Sequence, residues 1–370
     1  MNSRAQIRML PDGQRLHMHD GPIDLIVEAF GTTAAIERSY RAATARFADV
    51  LDELCGELAF LRRPTQVDGA LPNGPIAQRM VAAVEPFAAS TFMTPMAAVA
   101  GAVAEEILFA MTTEANLSRA YVNDGGDIAL HLSPEENFVI GMVERPDRPS
   151  LLGTATIDFD QPVRGIATSG WRGRSFSLGI ADAVTVLADT AAMADAAATV
   201  IANAVDLPGH PAIKRVAACE LAPDSDLGSR MVTLGVGNLR GGEIEAALRA
   251  GVLLAERLRD TGLIRAAALS LQGETRAVNA RQQMSAERTA RPMQRRNSLP
   301  KNSEMSVQPW KSGPSGPRKP LKINVGFSPR VPYPELFQQT AKPIRKTSPD
   351  RSGEPLRHTK TSGGRLDARG

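Results

Sequence analysis

Three segments of residues 163–205 decide the fold: VRGIATSG at 163–170, ADAVTVLA at 181–188 and TAAMADAAATVIANAV at 190–205. The first predicts a short strand that ends in a hydroxyl-rich turn. The second contains three consecutive β-branched residues and predicts a buried strand. The third lacks Gly and Pro and is dominated by alanine, the best helix former. The sequence therefore predicts a strand–loop–strand–helix block at the centre of the chain.

Two features of this block bear on function and location. Asp195 and Thr199 stand four residues apart, so on a helix their carboxylate and hydroxyl share one face. Asp182, Asp189 and Asp195 interrupt the alanine-rich stretch 181–205, and such charges argue against a membrane-spanning helix. We therefore expect no contact of this block with a membrane.

The distribution of charge divides the 370 residues near residue 280. Residues 281–370 hold 19 Lys and Arg against 6 Asp and Glu, whereas residues 1–280 hold 24 against 34. Lys214 is the only lysine before residue 281, and seven follow it. We therefore predict a folded domain over residues 1–280, followed by a basic, proline-rich tail over residues 281–370.

The composition of the tail is typical of a disordered segment. It contains 12 of the 26 prolines, and Leu, Ile, Val and Phe make up only 12 of its 90 residues. Such a segment buries too little apolar surface to offset the entropy of ordering the chain. Its scattered cations are compatible with weak, salt-sensitive contact with nucleic acid. An extension without a folded role agrees better with the abrupt change in lysine usage.

Cysteine and histidine usage excludes several kinds of site. Cys55 and Cys219 lie far apart without CxxC spacing, so we expect neither a disulfide framework nor a structural zinc site. This cysteine usage agrees with a protein of the reducing cytoplasm. The first thirty residues contain no basic segment followed by an apolar core, so we expect no signal peptide. His17 and His19 share one face of a predicted strand, but no third metal ligand lies near them in sequence.

Outward from the central block, hydrophobic periodicity predicts a mixture of helices and strands. The predicted helices span residues 33–62, 76–87, 95–111, 190–205 and 243–260. The predicted strands span residues 6–10, 16–18, 23–30, 138–144, 153–158, 165–170, 181–188, 215–221, 231–236 and 263–271, with a further hairpin around residues 120–130. Because the order lacks the steady alternation of a doubly wound sheet, it favours an α+β layered fold of mixed strands packed with helices.

Two glycine-containing turns could contact a ligand. The first, Asn123-Asp124-Gly125-Gly126-Asp127, joins two apolar runs. Its glycine pair permits positive φ and can expose backbone amides to a ligand, although the same residues also make an ordinary hairpin turn. The second, GVGNLRGG at 235–242, has Arg240 where a dinucleotide-binding fingerprint has its third glycine. That substitution favours a plain strand-to-helix turn.

Three stretches, in this order, resemble the ApbE superfamily, whose flavin transferases attach FMN from FAD to a protein threonine. They are the acidic glycine turn at 123–127, the Ala167-Thr168-Ser169-Gly170 turn, and Asp182-Ala-Val-Thr-Val followed by Ala194-Asp-Ala-Ala-Ala-Thr199. Val99-Ala100-Gly101-Ala102 resembles the family's helix before the glycine turn. The resemblance covers about residues 5–278 and is closer to a bacterial and archaeal ApbE-like branch than to the flavin transferases themselves.

The resemblance implies both a metal site and a nucleotide site. Mg²⁺ would be held by Asp195, Thr199 and the carbonyl of Ala100, and the nucleotide would be FAD or FMN. Mg²⁺ prefers oxygen ligands, which protein, diphosphate and water would share, and it would neutralise the diphosphate and assist its cleavage. The implied nucleotide-binding residues are Asn123, Asp124, Gly125, Gly126, Asp127, Thr168, Ser169, Gly170 and Asp182.

The sequence departs from the transferase pattern at two places. Flavin transferases carry His-Ile-x-x-Pro-x-Thr-Gly after the Thr-Ser-Gly turn, whereas residues 171–180 read WRGRSFSLGI, with neither histidine nor proline. Arg172 and Arg174 in this interval either meet an anionic ligand or belong to a solvated loop. Gly101-Ala102 stands where the family has Lys-Gly.

Two hypotheses from different functional classes follow. The first is a magnesium-dependent transferase or hydrolase that acts on a flavin-type diphosphate, which the presence of Asp195 and Thr199 favours. The second is a non-catalytic ligand-binding or assembly protein that keeps the fold, which the missing histidine segment favours. Both imply a cytoplasmic protein with a small-molecule nucleotide as its partner, and both are compatible with a homo-oligomer.

Overall fold

The computed structural model describes residues 4–143 and 151–279. Within these ranges, one nine-stranded sheet and two separate two-stranded sheets pack with helices, which confirms the predicted α+β fold. The tail predicted over residues 281–370, with its predicted disorder and nucleic-acid contact, lies outside the described residues.

The large sheet has the strand order β1-β2-β3-β4-β5-β8-β9-β12-β13, and its neighbouring strands pair antiparallel. Two antiparallel hairpins, β6-β7 and β10-β11, lie outside it. The strands are β1 (Gln6–Met9), β2 (Leu16–Asp20), β3 (Ile23–Phe30), β4 (Arg119–Asp124), β5 (Asp127–Leu132), β6 (Asn137–Val143), β7 (Leu151–Asp158), β8 (Gly165–Ser169), β9 (Ala183–Ala188), β10 (Ile213–Ala217), β11 (Met231–Val236), β12 (Ala266–Leu271) and β13 (Glu274–Val278).

The helices follow the predicted periodicity closely. They are α1 (Thr33–Gly56), α2 (Leu58–Leu61), α3 (Pro75–Ala88), α4 (Val99–Glu114), α5 (Ala191–Ala204), α6 (Ala218–Leu221) and α7 (Gly241–Asp260), with a 3₁₀ turn at Pro95–Ala98 before α4. Thr32 caps α1 through its side chain, and Thr190 caps α5 in the same way.

Apolar side chains from both faces of the large sheet form the core. The helices cover one face, where Leu25, Val122 and Val184 are fully buried. A smaller cluster, which includes Leu130 and Ile157, lies under the β6-β7 hairpin. β9 is buried at every position, as predicted for its run of β-branched residues. The sheet is therefore sandwiched between layers at its centre, next to the predicted site.

The central block has the predicted strand–loop–strand–helix form. β8 pairs antiparallel with β9, so that Thr168 lies opposite Thr185, and α5 packs on both strands. A Cβ atom on Gly165 would lie 2.1 Å from the backbone carbonyl carbon of Thr190, so only glycine lets β8 approach the start of α5 this closely. This close approach brings the turn after β8 and the first turns of α5 into one region.

Two predicted elements were wrong in extent or type, and one strand was not predicted. The helix predicted over residues 33–62 ends at Gly56, and a separate short helix, α2, follows it, consistent with the low helix propensity of glycine. The strand predicted over residues 215–221 ends at Ala217 and continues as α6. The strand that was not predicted, β13, follows a turn at Gln272-Gly273 and pairs with β12.

Among the described residues, one helical segment, Pro95–Glu114, is long and apolar enough to cross a membrane by length and composition alone. It packs against α1, α3, α5 and strand β5 inside the fold. Core helices of soluble proteins have the same composition, and this packing accounts for the apolar sequence.

Candidate functional site

The predicted site lies where the N-terminal turns of α4 and α5 meet. A Cβ atom on Gly101 would lie 2.3 Å from the carbonyl oxygen of Ala191, so the backbones of the two helices are in direct contact. No side chain fits at residue 101 in this packing. The residue that departs from the family's Lys-Gly pattern is therefore the one at which the two helices touch.

Each of these helices supplies a carboxylate to the other's N-terminus. Asp195 of α5 accepts a hydrogen bond from the Gly101 amide at 3.1 Å, and Glu105 of α4 accepts one from the Ala192 amide at 2.8 Å. Ala98, which precedes α4, has no capping side chain. Asp195 therefore satisfies amides that the first turn of α4 leaves without partners.

The acidic glycine turn and the Thr-Ser-Gly turn are joined directly. Asp127 accepts a hydrogen bond from the Thr168 amide at 3.2 Å. Asn123 closes the glycine turn by accepting from the Gly126 amide at 2.9 Å, and both glycines have positive φ, 64° and 120°. This turn is thus a tight hairpin between β4 and β5, which agrees with the ordinary-turn interpretation, and it also lies beside the second predicted turn.

Burial and neighbouring charges perturb three carboxylates in this region. Burial raises the pKa of Asp124 to about 7, and the charge of Asp24 adds to the shift. Burial also raises the pKa of Asp195 to about 7, with the charge of Asp124 adding to it. The pKa of Asp127 is raised well above its ordinary value, first by burial and then by the charges of Asp195 and Asp124. A cation placed among them would relieve this repulsion.

Arg174 is the cation nearest to this carboxylate cluster, by which we mean Asp124, Asp127 and Asp195. Its guanidinium lies 3.8 Å from the Asp124 carboxylate, and it lowers the pKa of both Asp124 and Asp127. A Cβ atom on Gly125 would overlap this guanidinium, so the glycine leaves room for it. More than half of the Arg174 side chain remains exposed, at 60 %. It is therefore free to exchange partners.

Asp182 lies in the same block, but its carboxylate oxygens already accept hydrogen bonds from other residues of the protein. Its carboxylate accepts hydrogen bonds from Trp171 Nε1 at 3.1 Å, from Arg172 Nε at 2.6 Å and from the Gln272 amide at 2.6 Å. Only about 6 % of the side chain is exposed. Asp182 thus fixes the start of the 171–180 loop, and Arg172 is committed to that contact.

The remaining predicted residues fall at the edges of the same region. Thr168 is exposed, and its hydroxyl hydrogen-bonds the Thr185 hydroxyl at 2.9 Å. Ser169 is half-buried, and Gly170 is buried against the backbone of Asp182. Thr199 lies one turn beyond Asp195 on α5, and both are half-buried. Ala100 is also half-buried, and its amide contributes to the environment of Asp195.

The three predicted metal ligands suit a hard cation that also binds oxygens from water or phosphate. Within the described ranges, no three His, Cys, Asp or Glu side chains are grouped closely enough to hold a metal ion by themselves. Asp195, Thr199 and the Ala100 carbonyl offer three oxygens of different types, which fits Mg²⁺ only if water and phosphate oxygens complete its shell. His17 already has a partner, because its ring is bonded to Asp24 at 2.6 Å.

Sequence reasoning missed Glu105, whose partner is the first turn of α5. Its pKa is raised, first by burial. The Glu105-Glu106 pair within an otherwise apolar helix was the available signal, because charged residues in a buried segment require partners. Glu106 finds its partners in Arg46 and Arg79.

Comparison with known proteins gives both close and distant similarities. A UPF0280 protein of Methanopyrus kandleri is 38 % identical over 128 residues, 35 % of this chain and 48 % of that one. A UPF0280 protein of Methanococcoides burtonii is 35 % identical over 140 residues, 38 % of this chain and 55 % of that one. The alignments thus span about half the length of these curated relatives.

Among solved structures, a mutant of the flavin transferase ApbE from Vibrio cholerae is similar over 75 % of this chain and 97 % of that one, with 11 % identity and a TM-score of 0.31. Residues 7–277 match the family model described as AbpE bacteria, which covers more than half of the sequence. The chain therefore belongs to this bacterial ApbE-like family.

Proposed function

We propose that the protein binds a flavin dinucleotide through its diphosphate, with Mg²⁺ held by Asp195, Thr199 and the Ala100 carbonyl. The observation that carries this proposal is the position of Asp195, between the N-terminus of α4 and the other two members of the carboxylate cluster. FAD has the diphosphate and FMN does not, so FAD is the ligand we favour. The names of the distant solved structures agree with a flavin ligand.

Each part of the site would have a separate task. The exposed Thr168 and the backbone of the glycine turn would contact the nucleotide, and Gly125 would let the backbone approach it closely. Arg174 would turn from Asp124 to a phosphate oxygen. When bound, Mg²⁺ would neutralise the diphosphate and so ease its cleavage by water or another acceptor.

Calorimetric titration of the protein with FAD tests the proposal. We expect FAD to bind in the presence of Mg²⁺ and at least about tenfold more weakly with a chelator, because the diphosphate charge is then not neutralised. FMN should bind more weakly than FAD under both conditions. Equal FAD affinity with and without Mg²⁺ would contradict the proposed metal site.

A second candidate function, a binding protein without chemistry, is favoured by the 171–180 loop. Asp182 holds the start of this loop through Trp171 and Arg172, and the loop offers no histidine. Chromatography of the nucleotide after incubation with protein and Mg²⁺ separates the two functions. Formation of FMN and AMP from FAD and water indicates a hydrolase, whereas recovery of intact FAD excludes hydrolysis and agrees with a binding protein.

Replacing Arg174 by glutamine should shift two affinities in opposite directions. Arg174 repels a divalent cation at the carboxylate cluster, so Mg²⁺ alone should bind a few-fold more tightly to the variant. Arg174 attracts phosphate, so FAD with Mg²⁺ should bind about tenfold more weakly. Arg249→Gln, which removes a similarly exposed arginine on α7, is the matched control. Shifts of the same sign in both titrations would show that Arg174 acts only on folding or packing.

A further inference from the structure

A cavity of about 250 Å³ lies between the C-terminal half of α4, strand β5 and the start of α5. Its walls include Arg79, Glu105, Phe109, Leu130 and Arg164. None of its lining residues belongs to the predicted metal or nucleotide site. The chemistry of these walls determines which ligand the cavity could bind.

The most informative wall residue is Arg164. Its guanidinium donates hydrogen bonds to the backbone carbonyls of Gln161 at 2.6 Å, Val163 at 2.7 Å and Phe159 at 2.8 Å. These carbonyls hold the guanidinium in place but carry no charge to balance it. Burial accordingly lowers the pKa of Arg164. A fixed guanidinium beside an open cavity is prepared to receive an anion.

The other charges around the cavity are already balanced. Arg79 is paired with Glu106, and Asp189 is paired with Arg265 through both carboxylate oxygens. Glu105 faces the N-terminus of α5, where a backbone amide and the helix dipole compensate its charge. Two arginines and two carboxylates thus line the cavity, and of these four described residues only Arg164 has no ion pair, although the charge of Asp189 acts on it, so an anion of single charge suits the cavity better than a phosphate dianion.

An apolar surface faces the same space. Phe109 on α4 is 59 % exposed, which is unusual for a phenylalanine, and the Arg79 guanidinium lies 5.7 Å from the centroid of its ring. Leu108 and Leu130 extend the apolar wall. A ring nitrogen of His131 is hydrogen-bonded to the carbonyl oxygen of Leu117 at 3.2 Å, so this nitrogen already has a partner.

We propose that this cavity binds a small monocarboxylate with an apolar body, its carboxylate on Arg164 and its body against Phe109. The site is separate from the proposed nucleotide site and does not depend on it. The carboxylate forms two parallel hydrogen bonds with a guanidinium in the favoured geometry, while the apolar body removes the exposed ring of Phe109 from water.

Amide chemical-shift titration of the full chain with benzoate tests this inference, with benzyl alcohol as the uncharged probe and phenyl phosphate as the dianion. We expect benzoate to bind with a Kd on the order of 1 mM, as small fragments do, and to perturb the amides of Thr112 and Leu130. Benzyl alcohol and phenyl phosphate should each bind more weakly.

Two substitutions separate the two parts of the site. Arg164→Gln should weaken benzoate binding by about tenfold while leaving benzyl alcohol unchanged. Phe109→Ala, on an exposed side chain that folding does not require, should weaken both probes several-fold. Arg249→Gln and Phe176→Ala remove an exposed arginine and an exposed phenylalanine elsewhere and should change neither.

Three results would overturn the inference. They are the absence of benzoate binding to the unmodified chain at about ten times that Kd, perturbed amides that lie away from the cavity, and tighter binding of phenyl phosphate than of benzoate. If Arg164→Gln does not fold, Phe109→Ala and the perturbed amides still decide the outcome.

Discussion

Asp195→Asn is expected to weaken the Mg²⁺-dependent binding of FAD by about 100-fold, which corresponds to about 2.7 kcal/mol. The substitution removes the only negative charge among the three proposed metal ligands. It keeps an oxygen that can accept the hydrogen bond from the Gly101 amide, so the start of α4 retains its partner. The fold should therefore survive while the ion is lost.

The same titrations with a chelator should give equal, weak affinities for both forms, because no ion is then available to Asp195. Asp195→Ala removes the amide acceptor as well, and it should lower the thermal stability in addition to the affinity. Asp49→Asn, which changes an exposed carboxylate on α1, serves as the matched control. If Asp195→Asn binds FAD and Mg²⁺ as well as the unmodified chain, Asp195 is only a helix cap.

The local parts of the fold could be predicted from the sequence, since they depend on neighbouring residues. Alanine-rich α5 begins directly after the capping Thr190, and β9 is buried throughout, as its β-branched run predicts. The order of the large sheet could not be predicted in the same way. β5 pairs with β8 and β9 pairs with β12, across long stretches of chain, and no local pattern encodes such pairings.

The site shows the same division between local and distant contacts. Spacing on a helix placed Asp195 and Thr199 on one face, because that relation depends only on helix geometry. The hydrogen bond from the Gly101 amide to Asp195 joins residues 94 positions apart, and the one from the Gln272 amide to Asp182 joins residues 90 positions apart. Such contacts arise from the packing of whole elements. For that reason, the capping role of Asp195 and the loop-fixing role of Asp182 became visible only in the structure.

The carboxylate cluster should make the protein less stable as the pH rises. The folded-state pKa values of Asp124 and Asp195, each about 7, lie above the ordinary aspartate value of 3.8. Between these limits the folded state binds more protons than the unfolded state, so the unfolding free energy falls as the pH increases. The contribution of these two carboxyl groups to the unfolding free energy is fully present below about pH 4 and is lost once the pH passes about 7.

Asp124→Asn isolates one member of the cluster and should raise the unfolding free energy at pH 8 by about 2 kcal/mol. A shift from 3.8 to about 7 corresponds to an upper limit of about 4 kcal/mol, and the expected gain is smaller because local relaxation reduces the penalty of burying the charge. At pH 4.5 the aspartate is protonated in the folded state but already largely ionised in the unfolded state, so about 1 kcal/mol of this difference should be present there, and the rest should develop between pH 4.5 and 8. Urea unfolding at several pH values between 4.5 and 8, with Asp49→Asn as the control for loss of an exposed carboxylate, measures this difference. A difference that does not grow with pH would mean that Asp124 is ionised in the folded protein throughout this range, and that Arg174 already compensates its charge.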